Sequence, residues 1–265
     1  MQLTVLGTAT PYPLPGKPCS GYLLQGSGLR GSGSQQPGAT AAPSTSIWID
    51  AGTGTLAELQ RFTRLEDLDA IWISHRHADH TADLLVAYYA LRHSSLRPAA
   101  KIRVIGPEAL ADRLAEFLGP DAVRGLHEVF AFTEMSGWGE TVVGGLELAW
   151  GPVAHGVPAF ALTVSDGSSA ITYSGDTAPC TSLVEMAEES ATLLCEVGYS
   201  RQALGDEAVH HTPEDAARTA AAAGVETIIL THLADDLDPA DAVRRVHDAF
   251  AGAIILAEPG HAFVV

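Results

Sequence analysis

The sequence predicts an α/β fold. Short apolar runs of strand length recur along the chain, and helical segments alternate with them. The chain has 265 residues, of which 46% are hydrophobic, enough to bury a large core. Taken in order, Leu3 to Leu6 and Gly21 to Gln25 read as strands, and the Gly-, Ser- and Gln-rich stretch Gly26 to Ala42 as a mobile surface loop. Ser46 to Asp50 resumes as a strand, Thr55 to Phe62 as a helix, and Ile71 to Ser74 as a strand. Thr81 to His93 is expected to be helical, Ile102 to Ile105 a strand and Glu108 to Leu118 a helix. Further strands are expected at Val129 to Phe132, Leu146 to Trp150, Ala159 to Val164 and Ala170 to Ser174. A helix over Ser182 to Glu189 and a strand over Thr192 to Cys195 follow. Pro213, behind a Thr212 cap, opens a helix to Ala223. Thr227 to Leu230 is a strand, Pro239 to Phe250 a helix, and Ala253 to Leu256 and Ala262 to Val265 close the sheets.

Composition narrows the function. The formal net charge of −17 repels nucleic acid unless a local basic patch overrides it, and the 15 Lys and Arg residues are scattered. No apolar run approaches the length of a membrane span. Met1 to Gly7 reads as a first strand, with no basic segment or cleavage site of a signal peptide. Cys19, Cys180 and Cys195 are odd in number and far apart, which fits a reducing cytoplasm rather than a disulfide framework.

One stretch carries the chemistry. His75-Arg76-His77-Ala78-Asp79-His80 places three imidazoles and a carboxylate within six residues, directly after an apolar strand. Imidazole nitrogen and carboxylate oxygen are ligands that borderline divalent metals prefer. Residues this close converge on an ion only if the chain bends around it. Three further candidates end later strands: His155 after Gly151-Pro152-Val153-Ala154, Asp176 after Tyr173-Ser174-Gly175, and His232 after Leu230-Thr231.

The first motif resembles the His-x-His-x-Asp-His signature of the metallo-β-lactamase superfamily, and the later three resemble that superfamily's remaining metal motifs in the expected order. The resemblance spans nearly the whole chain. It implies one domain over 1–265 with the four-layer αββα sandwich, and two divalent ions. Zn²⁺ fits the ligands best, while Mn²⁺ and Fe²⁺ also accept them. His75, His77 and His155 would hold one ion, Asp79, His80 and His232 the other, and Asp176 both. Asp79 would thus stand among the catalytic residues. Asp50, in Ile49-Asp50-Ala51-Gly52, resembles a residue that orients ligands without being one.

The resemblance also separates the superfamily's chemistries. Flavo-diiron members carry Glu where this chain has His77, secreted β-lactamases usually carry Cys at the place of Asp176, and glyoxalase-type thioesterases add a C-terminal helical domain. A phosphodiesterase remains. His210-His211-Thr212 and Leu194-Cys195-Glu196-Val197 resemble two ribonuclease Z elements, with His211 aligned as the donor of a proton to the leaving oxygen and Glu196 as its orienter. Cys195 departs from that pattern, where ribonuclease Z usually has His.

Ribonuclease Z commonly carries a long arm between its third metal His and its bridging Asp. Here only Gly156 to Gly175 separates His155 from Asp176. The expected substrate is therefore a small phosphodiester such as a 3′,5′-cyclic nucleotide, as in short bacterial cyclic-nucleotide phosphodiesterases. The alternatives are a tRNA 3′-processing endonuclease and a non-catalytic metal-binding scaffold. A cytoplasmic homodimer is the expected state.

Overall fold

The computed structural model describes residues 1–26, 44–119, 122–202 and 208–265. The loop expected over Gly26 to Ala42 therefore falls outside the described residues, apart from Gly26 itself, which ends a strand.

The first half builds one seven-stranded sheet. Its strands are β1 (Gln2–Gly7), β2 (Gly21–Gly26), β3 (Thr45–Ile49), β4 (Ala70–Trp72), β5 (Ile102–Pro107) and β6 (Phe130–Met135), with the C-terminal β14 (Ala262–Val264) added at its edge. The order is β14-β1-β2-β3-β4-β5-β6. The helices α1 (Thr55–Leu59), α2 (Ala78–His93), α3 (Leu110–Leu118) and α4 (Ala122–Val129) belong to this half.

The second sheet has the order β13-β12-β11-β10-β9-β8-β7. Its strands are β7 (Gly139–Val143), β8 (Leu146–Pro152), β9 (Phe160–Ser165), β10 (Ala170–Tyr173), β11 (Thr192–Val197), β12 (Thr227–Leu233) and β13 (Ala253–Leu256). Here α5 (Thr181–Ala187), α6 (Pro213–Ala223) and α7 (Pro239–His247) supply the cover.

The central strands, such as β3, β4 and β11, read as unbroken apolar runs because both of their faces are covered. Successive side chains point to opposite faces. Tyr22 and Leu24, Ile47 and Ile49, and Ala70 and Trp72 face the opposing sheet, where they meet Leu162, Tyr173, Leu194 and Ile229. The alternate residues Leu23, Trp48, Ile71 and Ile73 face outward onto Leu59, Leu84, Tyr88, Leu91 and Leu126 of the helices. On the second sheet Leu193, Cys195, Ile228 and Leu230 pack outward against Leu183, Ala216, Ala220 and Val246. Three apolar seams thus hold four layers, αββα, as the resemblance implied.

Local chemistry explains the ends of the helices. Thr212 accepts from the Asp215 amide while the Asp215 carboxylate accepts from the Thr212 amide, and Pro213 fills the first turn. Gly224 closes α6 in the left-handed region. Asp238 caps α7 in the same way as Thr212 caps α6, through the Asp241 amide.

Three differences from the sequence reading stand out. Helix α2 begins at Ala78, three residues before the expected Thr81, so Asp79 and His80 sit on its first turn. Helix α4 and strand β7 were not foreseen. The first is an amphipathic stretch whose buried Ala122, Leu126 and Val129 recur at helical spacing, in a region read only as leading to a strand. Among the described residues, no helix is long and apolar enough to cross a membrane.

Candidate metal centre

The site forms where the C-terminal ends of β4, β8, β10 and β12 meet. Asp50 is its hub. This carboxylate is fully buried, follows β3 and adopts a left-handed φ of 52°. Its Oδ1 accepts from the Ser74 amide at 2.7 Å. Its Oδ2 accepts from the Ser74 hydroxyl at 2.7 Å, from His80 Nδ1 at 2.7 Å and from the Tyr173 hydroxyl at 2.8 Å. These bonds settle the tautomers. With its proton committed to Asp50, the Ser74 hydroxyl accepts from His75 Nδ1 at 3.0 Å. Both His75 and His80 therefore turn Nε2 toward the centre.

His155 is fixed alike: its Nδ1 donates to the Val209 carbonyl at 2.9 Å. His77 instead presents Nδ1, 3.0 Å from His75 Nε2 and 3.2 Å from His155 Nε2. His232 occupies a β-bulge, because Thr231 pairs with Glu196 and Leu233 with Val197, leaving His232 between them with φ 51°. The bulge re-aims the ring out of the ladder. Its Nε2 then lies 3.4 Å from His80 Nε2, 3.5 Å from Asp79 Oδ2 and 3.3 Å from Asp176 Oδ2.

Asp176 joins the two groups. Its Oδ2 lies 3.3 Å from His80 Nε2 and 3.6 Å from His75 Nε2, while its Oδ1 is buried without a hydrogen-bond partner. Gly175 delivers it on a turn with φ 57°, against the Phe160 carbonyl.

These side chains suit divalent ions. Ligand atoms of His75, His77 and His155 form one group, and those of Asp79, His80 and His232 a second. Bonds of 2.0–2.1 Å to a tetrahedral ion imply nitrogen–nitrogen edges of about 3.3 Å, and the nitrogens here stand 3.0–3.4 Å apart. Burial lowers the pKa values of His75, His77 and His155 and so favours the neutral, ligating imidazole. Burial works against charge on His80 too, but the Asp176 and Asp50 carboxylates outweigh it and raise its pKa well above the usual range. Burial likewise opposes ionisation of Asp176, and the facing His232, His80 and His75 overcome it. Buried carboxylates at this density call for positive charge between them.

Beside this cluster lies a second polar device. Glu196 is fully buried. Its Oε1 accepts from the Thr177 amide at 3.0 Å, the His211 amide at 3.1 Å and His210 Nδ1 at 3.1 Å, and its Oε2 accepts from the Gly198 amide at 2.5 Å. The His210 ring stacks on His232 with centroids 5.6 Å apart, and Tyr199 abuts it edge-on at 5.1 Å. A ring nitrogen of His210 falls within 4.8 Å of ligand atoms of Asp176 and His232. Burial would lower the His210 pKa, but the Glu196 hydrogen bond prevails and raises it.

The structure brings His75, His77, Asp79, His80, His155, Asp176 and His232 together, with Glu196 alongside. It does not bring His211. That ring is fully buried, with Nδ1 bonded to the Thr177 carbonyl at 2.6 Å and Nε2 to the Thr219 hydroxyl at 3.0 Å. Both nitrogens are used inside the fold, which leaves the His211 ring no free nitrogen toward the cluster, whereas the ring of its neighbour His210 lies against it. Sequence reasoning places His210 partly solvated next to the site, without a catalytic role. The available signal was its place two residues before the Thr212 cap, where the chain still runs outside the helix.

Comparison with known proteins agrees with this geometry. Residues 45–233 match the family model described as the beta-lactamase superfamily domain. A Mycobacterium tuberculosis protein described as uncharacterized is 30% identical over 96% of this chain and 88% of its own length. The probable metallo-hydrolase YhfI of Bacillus subtilis is 25% identical over 88% of this chain and 87% of its own. Its crystal structure superposes with a TM-score of 0.81 at 22% identity, covering 99% of both chains. Ribonuclease Z of Mycobacterium marinum is 27% identical over 88% of this chain and 86% of its own. The chain belongs to the beta-lactamase superfamily and is one of its metallo-hydrolases.

Proposed function

We propose that the protein is a dinuclear metal-dependent phosphodiesterase acting on small phosphodiesters such as 3′,5′-cyclic nucleotides. The observation that carries this reading is the Glu196–His210 pair, an imidazole hydrogen-bonded to a buried carboxylate and set against the ligand cluster. Opening a phosphodiester expels an alkoxide, and an alkoxide needs a proton.

In this reading His75, His77 and His155 hold one ion, Asp79, His80 and His232 the other, and Asp176 faces both. The ions supply charge stabilisation of the phosphoryl oxygens and a water nucleophile at neutral pH. The chain's own residues do the rest. Asp50 fixes the His80 ring and, through Ser74, the His75 ring. Water, with one of its protons passing to bulk solvent, bonds to phosphorus as the bond to the 3′-oxygen breaks, and that oxygen takes its proton from His210 Nε2. Glu196 stabilises the imidazolium beforehand and orients it, and solvent restores the proton afterwards.

A small substrate is favoured by the connection between His155 and Asp176. Strands β9 and β10 form a hairpin that turns through Asp166 to Ser169, so no arm projects there. The charge of −17 also opposes the phosphate contacts that tRNA requires. The test is hydrolysis of 3′,5′-cyclic AMP by Zn²⁺- or Mn²⁺-loaded protein, with a tRNA precursor in parallel and Asp79→Ala as control. Turnover of the cyclic nucleotide alone supports the proposal. Cleavage of the precursor alone replaces it with an endonuclease.

A further inference from the structure

A cavity of about 470 Å³ opens beside the metal centre, and the metal motif itself builds part of its wall. Its charged groups are Arg76, between the ligands His75 and His77, and Glu108, which follows β5; Ser136 adds a hydroxyl. Met135, Val153, Pro158 and Phe160 give it apolar sides. Two of the loops that line it carry ligands. Val153 precedes His155 by two residues, and the Phe160 amide donates to the Ser74 carbonyl at 3.0 Å.

Arg76 has no ion-pair or hydrogen-bond partner among the described residues, although the chain carries more than twice as many acidic as basic side chains. A guanidinium left without a partner in so acidic a protein, on the wall of a cavity beside the centre, suits contact with a ligand.

We propose that this cavity seats the nucleobase of the substrate, with Arg76 donating to its ring acceptors and Glu108 accepting from its amino or imino groups. The proposal rests on the phosphodiesterase reading and names the substrate class more closely, as a nucleotide rather than any diester. The charge balance chooses between a base and a second phosphate. One cation and one carboxylate sum to zero, which offers a dianion little, whereas a neutral heteroaromatic ring meets a donor, an acceptor and apolar walls together. A volume of several hundred Å³ is of the size that takes such a group.

The test compares ligands that differ only in the base. Binding of adenosine and guanosine 5′-monophosphate and of ribose 5-phosphate to the Zn²⁺-loaded protein is measured by calorimetry. At least one nucleotide is expected to bind tenfold or more tightly than ribose 5-phosphate. Arg76→Ala is expected to remove most of that increment. Glu108→Gln, on a separate loop, is expected to reduce it severalfold, which guards against a folding defect caused by substitution within the motif. The proposal is overturned if the wild type shows no base increment, or if either variant weakens ribose 5-phosphate as much as the nucleotides. Turnover of the cyclic diesters is read separately. A base increment without turnover sinks the phosphodiesterase and leaves the pocket, whereas turnover without an increment does the reverse.

Discussion

His210 donates from Nδ1 to Glu196 Oε1 across 3.1 Å, while His211, one residue on, gives its Nδ1 to the Thr177 carbonyl. Adjacent histidines of the same chemistry thus take opposite places, one against the ligand cluster and one inside the fold.

Substitution should separate them. His210→Ala is expected to lower kcat roughly 10²–10⁴-fold, the range of a lost general acid, with both metals retained by elemental analysis. His211→Ala is expected to cost roughly 1–3 kcal/mol through its two buried hydrogen bonds, read by urea denaturation, while the folded fraction keeps its kcat. The reverse pattern would restore His211 as the donor.

Asp50 accepts four hydrogen bonds, two of them from Ser74 and one each from His80 and Tyr173. Asp50→Ala strands those donors in the core. The expected loss is about 3 kcal/mol or more of stability and about 10–100-fold in Zn²⁺ affinity, the usual effect of removing a partner that orients a ligand. Competition with a chromogenic chelator measures the second quantity. Unchanged affinity would mean that the His80 ring is positioned by packing alone.

Two glycines offer a matched comparison. Gly175 and Gly224 both have positive φ, at 57° and 71°. A Cβ on Gly175 would meet the Phe160 carbonyl at 2.7 Å, whereas one on Gly224 meets nothing within 4 Å. Gly224→Ala should therefore cost only the backbone strain, about 1–2 kcal/mol, and keep its metal content. Gly175→Ala should cost more and lower the metal stoichiometry by displacing Asp176. Equal behaviour of the two variants would show that close approach at Gly175 is immaterial.

Arg245 binds both oxygens of Glu214 and donates to the Ser200 carbonyl, tying α7 to α6 and to the start of the segment that leads to His210. The guanidinium holds the Glu214 carboxyl down at about 2. A depressed carboxylate contributes stability that is fully present above its unfolded pKa, near 4.3, and is lost as pH falls through the folded value. The stability difference between wild type and Glu214→Gln should thus be constant from neutral pH to about pH 5 and vanish toward pH 2. The pair is partly exposed, so the plateau should be on the order of 0.5 kcal/mol. Denaturant midpoints across that pH range provide the check, and a difference that grows in acid would refute the assignment.

Much of this was legible in the sequence because metal chemistry leaves local marks. His75 to His80 form a contiguous motif, and His155, Asp176 and His232 each follow an apolar run, so the side chains that converge were readable without knowing how the strands pair. Pairing is a long-range property. The bulge that turns His232 inward depends on how β12 registers against β11, which no window of sequence displays. The choice between His210 and His211 depends on partners at Thr177 and Thr219, outside the local motif. Strand β7 was missed for a related reason. It lies at the sheet edge with alternating exposure, and its short Gly-Glu-Thr-Val-Val segment lacks the unbroken apolar signature of central strands such as β11.

The convergent side chains come from both sheets. His75, His77, Asp79 and His80 follow β4, whereas His155, Asp176 and His232 follow or lie within β8, β10 and β12. Neither half of the chain owns a complete set, and His232 is the last to be made. The motif at His75 therefore stays without its later partners until synthesis has passed β12. A protein built this way ties completion of its metal set to completion of its fold: neither group of side chains is whole until the second sheet packs on the first.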